Sequence, residues 1–182
     1  GRPTANAEFG NAPSVLVGDF LYTRAFQLMV QLGDMSILRQ MADTTNTIAE
    51  GEVLQLTRAG DANTTEDQYL DVIRRKTAIL FAAGCWGAAQ LCGKDASTLR
   101  AMHEFGLNLG IAFQMIDDVL DYDGDPSTMG KNVGDDLTEG KPTLPLIHVL
   151  REGTAPEQAL VREAIAEKNA ECIADVFAAV QR

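Results

Sequence analysis

Between Val15 and Leu32, apolar residues fall at 15, 16, 17, 20, 21, 25, 26, 28, 29, 30 and 32, nearly all round a helical wheel. A half-buried strand would alternate, and this segment does not. A helix apolar on all sides belongs at the centre of a bundle, which is the place the sequence predicts for it. Gly33 closes it. The helical period continues downstream. Asp34 to Arg58 is more amphipathic, with Ile37, Leu38, Met41, Ile48, Val53, Leu54 and Leu56 among polar positions. Gly60 to Asn63 reads as a loop. Thr65 is an N-cap followed by Glu66 and Asp67 in the first turn. Its helix runs to about Cys92, and the half from Ala82 to Ala89 is rich in small residues, which suggests close helix approach. Ser97 caps a helix to about Asp121, and a loop follows to about Asp136. Two more helices are expected, over about 142–150 and 155–181. No β alternation of any length and no internal repeat is found. The spacing predicts one all-α bundle domain over residues 1–182, with mostly short connections.

Composition narrows the function. A chain of 182 residues, 46% apolar, can build one sizeable core. Fifteen basic and 26 acidic residues give a net charge of −11, which argues against a nucleic-acid binder. No apolar run approaches the ~20 residues of a membrane span, and no signal-peptide pattern is visible. Cys85, Cys92 and Cys172 are odd in number and form no CxxC, as expected of buried thiols in a reducing, cytoplasmic setting. His103 and His148 form no HxxxH pair, which disfavours a local zinc motif. The chain starts without methionine and closes inside a helical pattern, so it reads as part of a longer protein.

The strongest chemical signal is Ile116-Asp117-Asp118-Val119-Leu120-Asp121. Asp117 and Asp121 are four apart and share one helix face. Such a pair can hold a hard divalent ion through oxygen; a solvated acidic face is the alternative. Acids at a helix C-terminus oppose its dipole, at ~0.3–1 kcal/mol each when exposed, which favours a bound cation. A calcium loop beginning at Asp121 would need Gly at its sixth place and an acid at its twelfth. Pro126 and Asn132 stand there instead. Lys131 and Lys141 each follow a glycine beside these carboxylates. A lysine next to a metal site suits a phosphate. Lys76-Thr77 lies mid-helix, where a snorkelling lysine is the alternative. Gln114 stands three before Asp117 and either reaches the same ligand or bonds to backbone. Magnesium-binding aspartates, lysines and an apolar interior together fit a ligand with a diphosphate head and a hydrocarbon tail.

The runs Phe113-Gln-Met-Ile-Asp-Asp-Val-Leu-Asp121, Gly130-Lys-Asn-Val-Gly-Asp-Asp136 and Glu139-Gly-Lys-Pro-Thr-Leu-Pro145 resemble the trans-isoprenyl diphosphate synthases. Within them, the long-chain octaprenyl/polyprenyl type of bacteria is most similar. Gly1 to Ala7, Leu16 to Tyr22, Ile48 to Gln55 and Lys76-Thr77 match as well. The resemblance covers essentially the whole chain. It implies an isoprenoid-synthase-type helical bundle, here partial, and usually a homodimer. It implies condensation of an allylic diphosphate, such as farnesyl diphosphate, with isopentenyl diphosphate, assisted by Mg²⁺. By matching positions, Asp117, Asp118 and Asp121 would bind metal, and Lys76, Lys131 and Lys141 the allylic diphosphate. Thr77 and Gln114 would line the reacting region, with Phe113 and Gln114 on the isopentenyl side. The family's first aspartate-rich motif is not among these residues, so the chain alone is expected to be inactive. A non-catalytic partner subunit and a terpene cyclase are the alternatives.

Overall fold

Thr65 starts the helix that carries half of the site. Its hydroxyl accepts from Gln68 N, and the Gln68 side chain accepts from Thr65 N, a complete capping box. The computed structural model describes residues 3–123, 134–168 and 172–182. In chain order its helices are α1 (Ala5–Phe9), α2 (Asn11–Leu32), α3 (Met35–Arg58) and α4 (Glu66–Ile73). A π-helical turn (Arg74–Ala78) links α4 to α5 (Ile79–Leu91). Then come α6 (Ala96–Asp123), α7 (Asp135–Thr138), α8 (Leu144–Glu152), α9 (Ala155–Glu167) and α10 (Ile173–Val180). No strand occurs among the described residues, so the all-α expectation holds.

Four local expectations are corrected. The helix from Val15 begins earlier, at Asn11, with Pro13 in the first turn, where a missing N–H is harmless. It is not central: α2 buries no residue, and Phe20 and Leu21 are 64% and 62% exposed. It packs on α1 and α3, and nothing among the described residues covers its outer faces. Asp95, not Ser97, caps α6, because its Oδ1 accepts from Thr98 N at 2.8 Å. The expected terminal helix over 155–181 is two helices, since Lys168 adopts a left-handed φ of 52° that ends α9.

The core sits in the C-terminal half. Leu137, Leu146, Val161, Ile165 and Val176 are fully buried around Tyr122. A smaller cluster of Tyr69, Ile73 and Ile147 ties α4 to α8. Of the small residues of α5, Ala82 does allow close approach: a Cβ added at Gly106 of α6 would lie 2.8 Å from its Cα, whereas Gly84 and Gly87 have nothing within 4 Å. Among the described residues no helix is long and apolar enough to cross a membrane.

Candidate active site

The site begins where two backbones nearly touch. A Cβ at Gly51 of α3 would fall 2.7 Å from Lys76 N and 2.9 Å from the Arg75 Cβ, so only glycine admits the π-turn there. Within the turn, Ile79 N–H reaches past the usual partner to Arg74 C=O. Such turns are frequent at functional sites. Lys76 is half-buried rather than snorkelling freely. Its Nζ donates to Gln55 Oε1 at 2.7 Å and pairs with Glu52 at 3.2 Å.

Thr77 begins a hydrogen-bond chain to α6. Its hydroxyl donates to Gln114 Oε1 at 2.9 Å. Gln114 Nε2 donates to Asp118 Oδ1 at 2.8 Å and, more distantly, to Asp117 Oδ2 at 3.4 Å. The Tyr69 hydroxyl donates to Asp118 Oδ2 at 2.7 Å. Gln114 therefore bonds to side chains, not to backbone. Asp118 is 4% exposed. Burial pushes its carboxyl up to about 6; the bonds from Gln114 and Tyr69 oppose that rise, and the charges of Asp136 and Asp117 add to it. Burial, then the Asp118 charge, raises the Tyr69 hydroxyl far above its ordinary value.

Asp121 has a different place. It is 2% exposed, and its Oδ2 accepts from Asp136 N at 3.1 Å while its carbonyl accepts from Gly134 N at 2.9 Å. It thereby fastens the start of α7 to the end of α6. Lys141 then pairs with the Asp136 carboxylate at 3.1 Å and with Glu139. Burial lowers the Lys141 ammonium, but Glu139 and Asp136 outweigh it, so the lysine stays a cation.

Lys76, Thr77, Gln114, Asp117, Asp118 and Lys141 all line one pocket of about 250 Å³. The sequence thus named six residues that the fold brings together. Phe113 is not among them: it is 56% exposed and stacks on Phe81 at 5.4 Å. Asp121 is buried and is not part of the pocket's lining. Lys131 lies outside the described residues. Sequence reasoning missed Gln55, Arg58, Tyr69 and Asp136, which also line the pocket. Gln55 closes the Ile48–Gln55 segment and Asp136 closes the Gly130–Asp136 run, so both were signalled as motif members but given no role.

Among the described residues no three carboxylate, imidazole or thiolate groups converge as a metal cage. The half-buried Asp117 is the aspartate of the motif that lines the pocket without sitting in its buried floor. One carboxylate completed by ligand oxygens and water suits a hard divalent ion that is not held in an all-protein cage.

The polyprenyl synthetase family matches residues 1–182. The octaprenyl diphosphate synthase of Haemophilus influenzae is 57% identical over 165 residues, 91% of this chain and 50% of that protein. That of Escherichia coli is 52% identical over 169 residues, 93% of this chain and 52% of that protein. A crystal structure of a Caulobacter crescentus polyprenyl synthase, complexed with calcium and isoprenyl diphosphate, is 43% identical with a TM-score of 0.93. It covers 100% of this chain and 56% of that one. The chain thus spans about half the length of the curated relatives it matches. With a match from its first residue to its last, the chain belongs to the polyprenyl synthetase family.

Proposed function

We propose that the full protein is a trans-polyprenyl diphosphate synthase, a prenyltransferase joining isopentenyl diphosphate to an allylic diphosphate, with farnesyl diphosphate as primer. The carrying observation is that Lys76 and Lys141 share one pocket with Asp117, Asp118 and Asp136. Cations facing carboxylates across a small pocket suit a diphosphate that arrives with a divalent ion. The relatives named as octaprenyl synthases support the same substrate class.

In this reading, Lys76 and Lys141 donate to the allylic diphosphate oxygens, joined by Lys131. As the C1–O bond breaks, its electron pair leaves with the diphosphate, and the lysines stabilise the growing charge. Asp117 holds Mg²⁺, which supplies further electrostatic stabilisation when bound. Asp118, fixed by Tyr69 and Gln114, keeps Gln114 aimed at Thr77. The isopentenyl double bond attacks C1, and a proton is then lost from the adduct. Gln114 in the pocket and Phe113 outside it serve the isopentenyl side. The protein works in the cytoplasm as a homodimer, and the exposed apolar residues of α2 offer a surface for the second copy.

The test is a Mg²⁺-dependent assay of the full-length protein with labelled isopentenyl diphosphate and farnesyl diphosphate. Asp117→Ala and Lys76→Ala should each reduce turnover at least about 100-fold, the usual cost of losing one charge-stabilising group. Turnover within a few fold of wild type in both variants would overturn the site assignment.

A further inference from the structure

The geometry points to Arg58 as a further cation for the diphosphate, beside the lysines, a role that rests on the function proposed above. Arg58 is the last residue of α3 and lines the pocket with Lys76 and Lys141. A cation at a helix C-terminus is favoured by the dipole alone, yet its bonding is incomplete. The guanidinium has five donors. Its ion pair with Asp61 is loose, at 3.8 Å, and Nε is buried with no partner among the described residues. Such an orphaned donor is costly unless a ligand completes it.

Its position lies between the two lysines. Gln55, three residues earlier on the same helix face, already holds the Lys76 ammonium at 2.7 Å. Two residues after Arg58, Gly60 N donates to Gly140 O at 2.8 Å, which ties the end of α3 to the residue before Lys141. Lys76, Arg58 and Lys141 therefore form one cationic edge, facing Asp117 and Asp118 on α6. A planar fork between two ammonium groups suits the paired oxygens of a diphosphate.

The experiment is isothermal titration calorimetry of inorganic pyrophosphate with Mg²⁺ into the full-length protein and its variants. Arg58→Gln should weaken binding about tenfold, and Arg58→Lys, which keeps the charge but not the fork, about threefold. Asp61→Asn should tighten binding about twofold, because it removes the competing carboxylate and keeps the oxygen that accepts from Asn63 N. Circular dichroism checks folding; if Arg58→Gln unfolds, the lysine variant decides. Binding within twofold of wild type for Arg58→Gln, or no loss for a deciding Arg58→Lys, overturns the proposal. An Asp61→Asn loss equal to that of Arg58→Gln does too, since Arg58 would then act by tethering its loop. Lys76→Gln separates the two levels. If it weakens binding while Arg58→Gln does not, the Arg58 role fails and the diphosphate reading stands. If wild type binds no pyrophosphate, both fail.

Discussion

Helix α2 and the packed half around α8 are both rich in apolar residues, but only one of them buries any. Leu146, Val161, Ile165 and Val176 are fully buried, whereas Leu16, Phe20, Leu21 and Val30 of α2 are each more than 60% exposed. Side-chain chemistry does not distinguish the two sets. What differs is whether another described element lies opposite. Hydrophobic periodicity therefore reports that a face needs cover, and says nothing of where the cover comes from.

The sharpest way to break this comparison is to truncate one leucine in each region. Leu146→Ala should cost about 2–5 kcal/mol in chemical denaturation, because it opens a cavity in packed surroundings. Leu21→Ala in α2 should stay within about 0.5 kcal/mol while the chain is a monomer, as an exposed helical site does. A loss above about 1.5 kcal/mol at Leu21 would show that α2 is covered in solution. Light scattering on the same sample would identify a second copy as the cover.

The next effect belongs to the packed half alone. The Asp118 carboxyl rises from 3.8 to about 6, mainly through burial. The folded state therefore binds this proton more tightly than the unfolded state. Its contribution to stability is complete below about pH 4 and is lost as pH rises through 6. Metal-free chain should lose about 2–3 kcal/mol over that window from this group, at 1.36 kcal/mol per pKa unit. Urea titrations at several pH values measure it. Asp118→Asn should flatten that component, and an unchanged slope would contradict the burial assigned to Asp118.

A single methyl group sharpens the contrast further. At Gly106 of α6, an added Cβ would meet Phe81 O at 2.5 Å and the Ala82 Cα at 2.8 Å. Gly106→Ala should cost about 1–3 kcal/mol through overpacking. At Gly18 of α2 nothing lies within 4 Å. Gly18→Ala should stabilise by about 0.5–1 kcal/mol, since alanine loses less backbone entropy in a helix. Equal signs at the two positions would remove the distinction between the regions.

The residues show why parts of the site were legible and parts were not. Lys76, Lys141 and Asp117 stood out because charges in otherwise apolar or glycine-bounded segments need a reason. Helical spacing pairs Asp117 with Asp121, but only Asp117 lines the pocket, while Asp121 is buried. Asp121 instead shares its buried side with Asp118, and backbone N–H groups beyond α6 decide that. Tyr69 was hidden because a tyrosine in an amphipathic helix looks like core, and its partner is 49 residues away. The π-turn contains no Gly or Pro to announce it; the relevant glycine is Gly51, on a different helix. The order of helices was readable because it depends on local period and caps. The burial of α2 was not, because that depends on neighbours.

The smallest effect compares two threonine caps. Thr65 accepts from Gln68 N and its own N–H is bonded in return. It fixes the start of α4, whose next turn carries Tyr69 to Asp118. Thr4 likewise accepts from Ala7 N at 3.1 Å, but α1 buries nothing. Removing either hydroxyl deletes one cap bond of similar geometry, typically worth ~1 kcal/mol where helix formation is coupled to folding. That coupling exists for α4 and is absent for a five-residue exposed helix, which frays independently of the core. Thr65→Ala should therefore lower global stability by about 1 kcal/mol, whereas Thr4→Ala should leave the midpoint unchanged. Amide exchange should show only local opening in the second case. A global loss from Thr4→Ala would mean that α1 and α2 fold cooperatively with the packed half, despite the exposure of both.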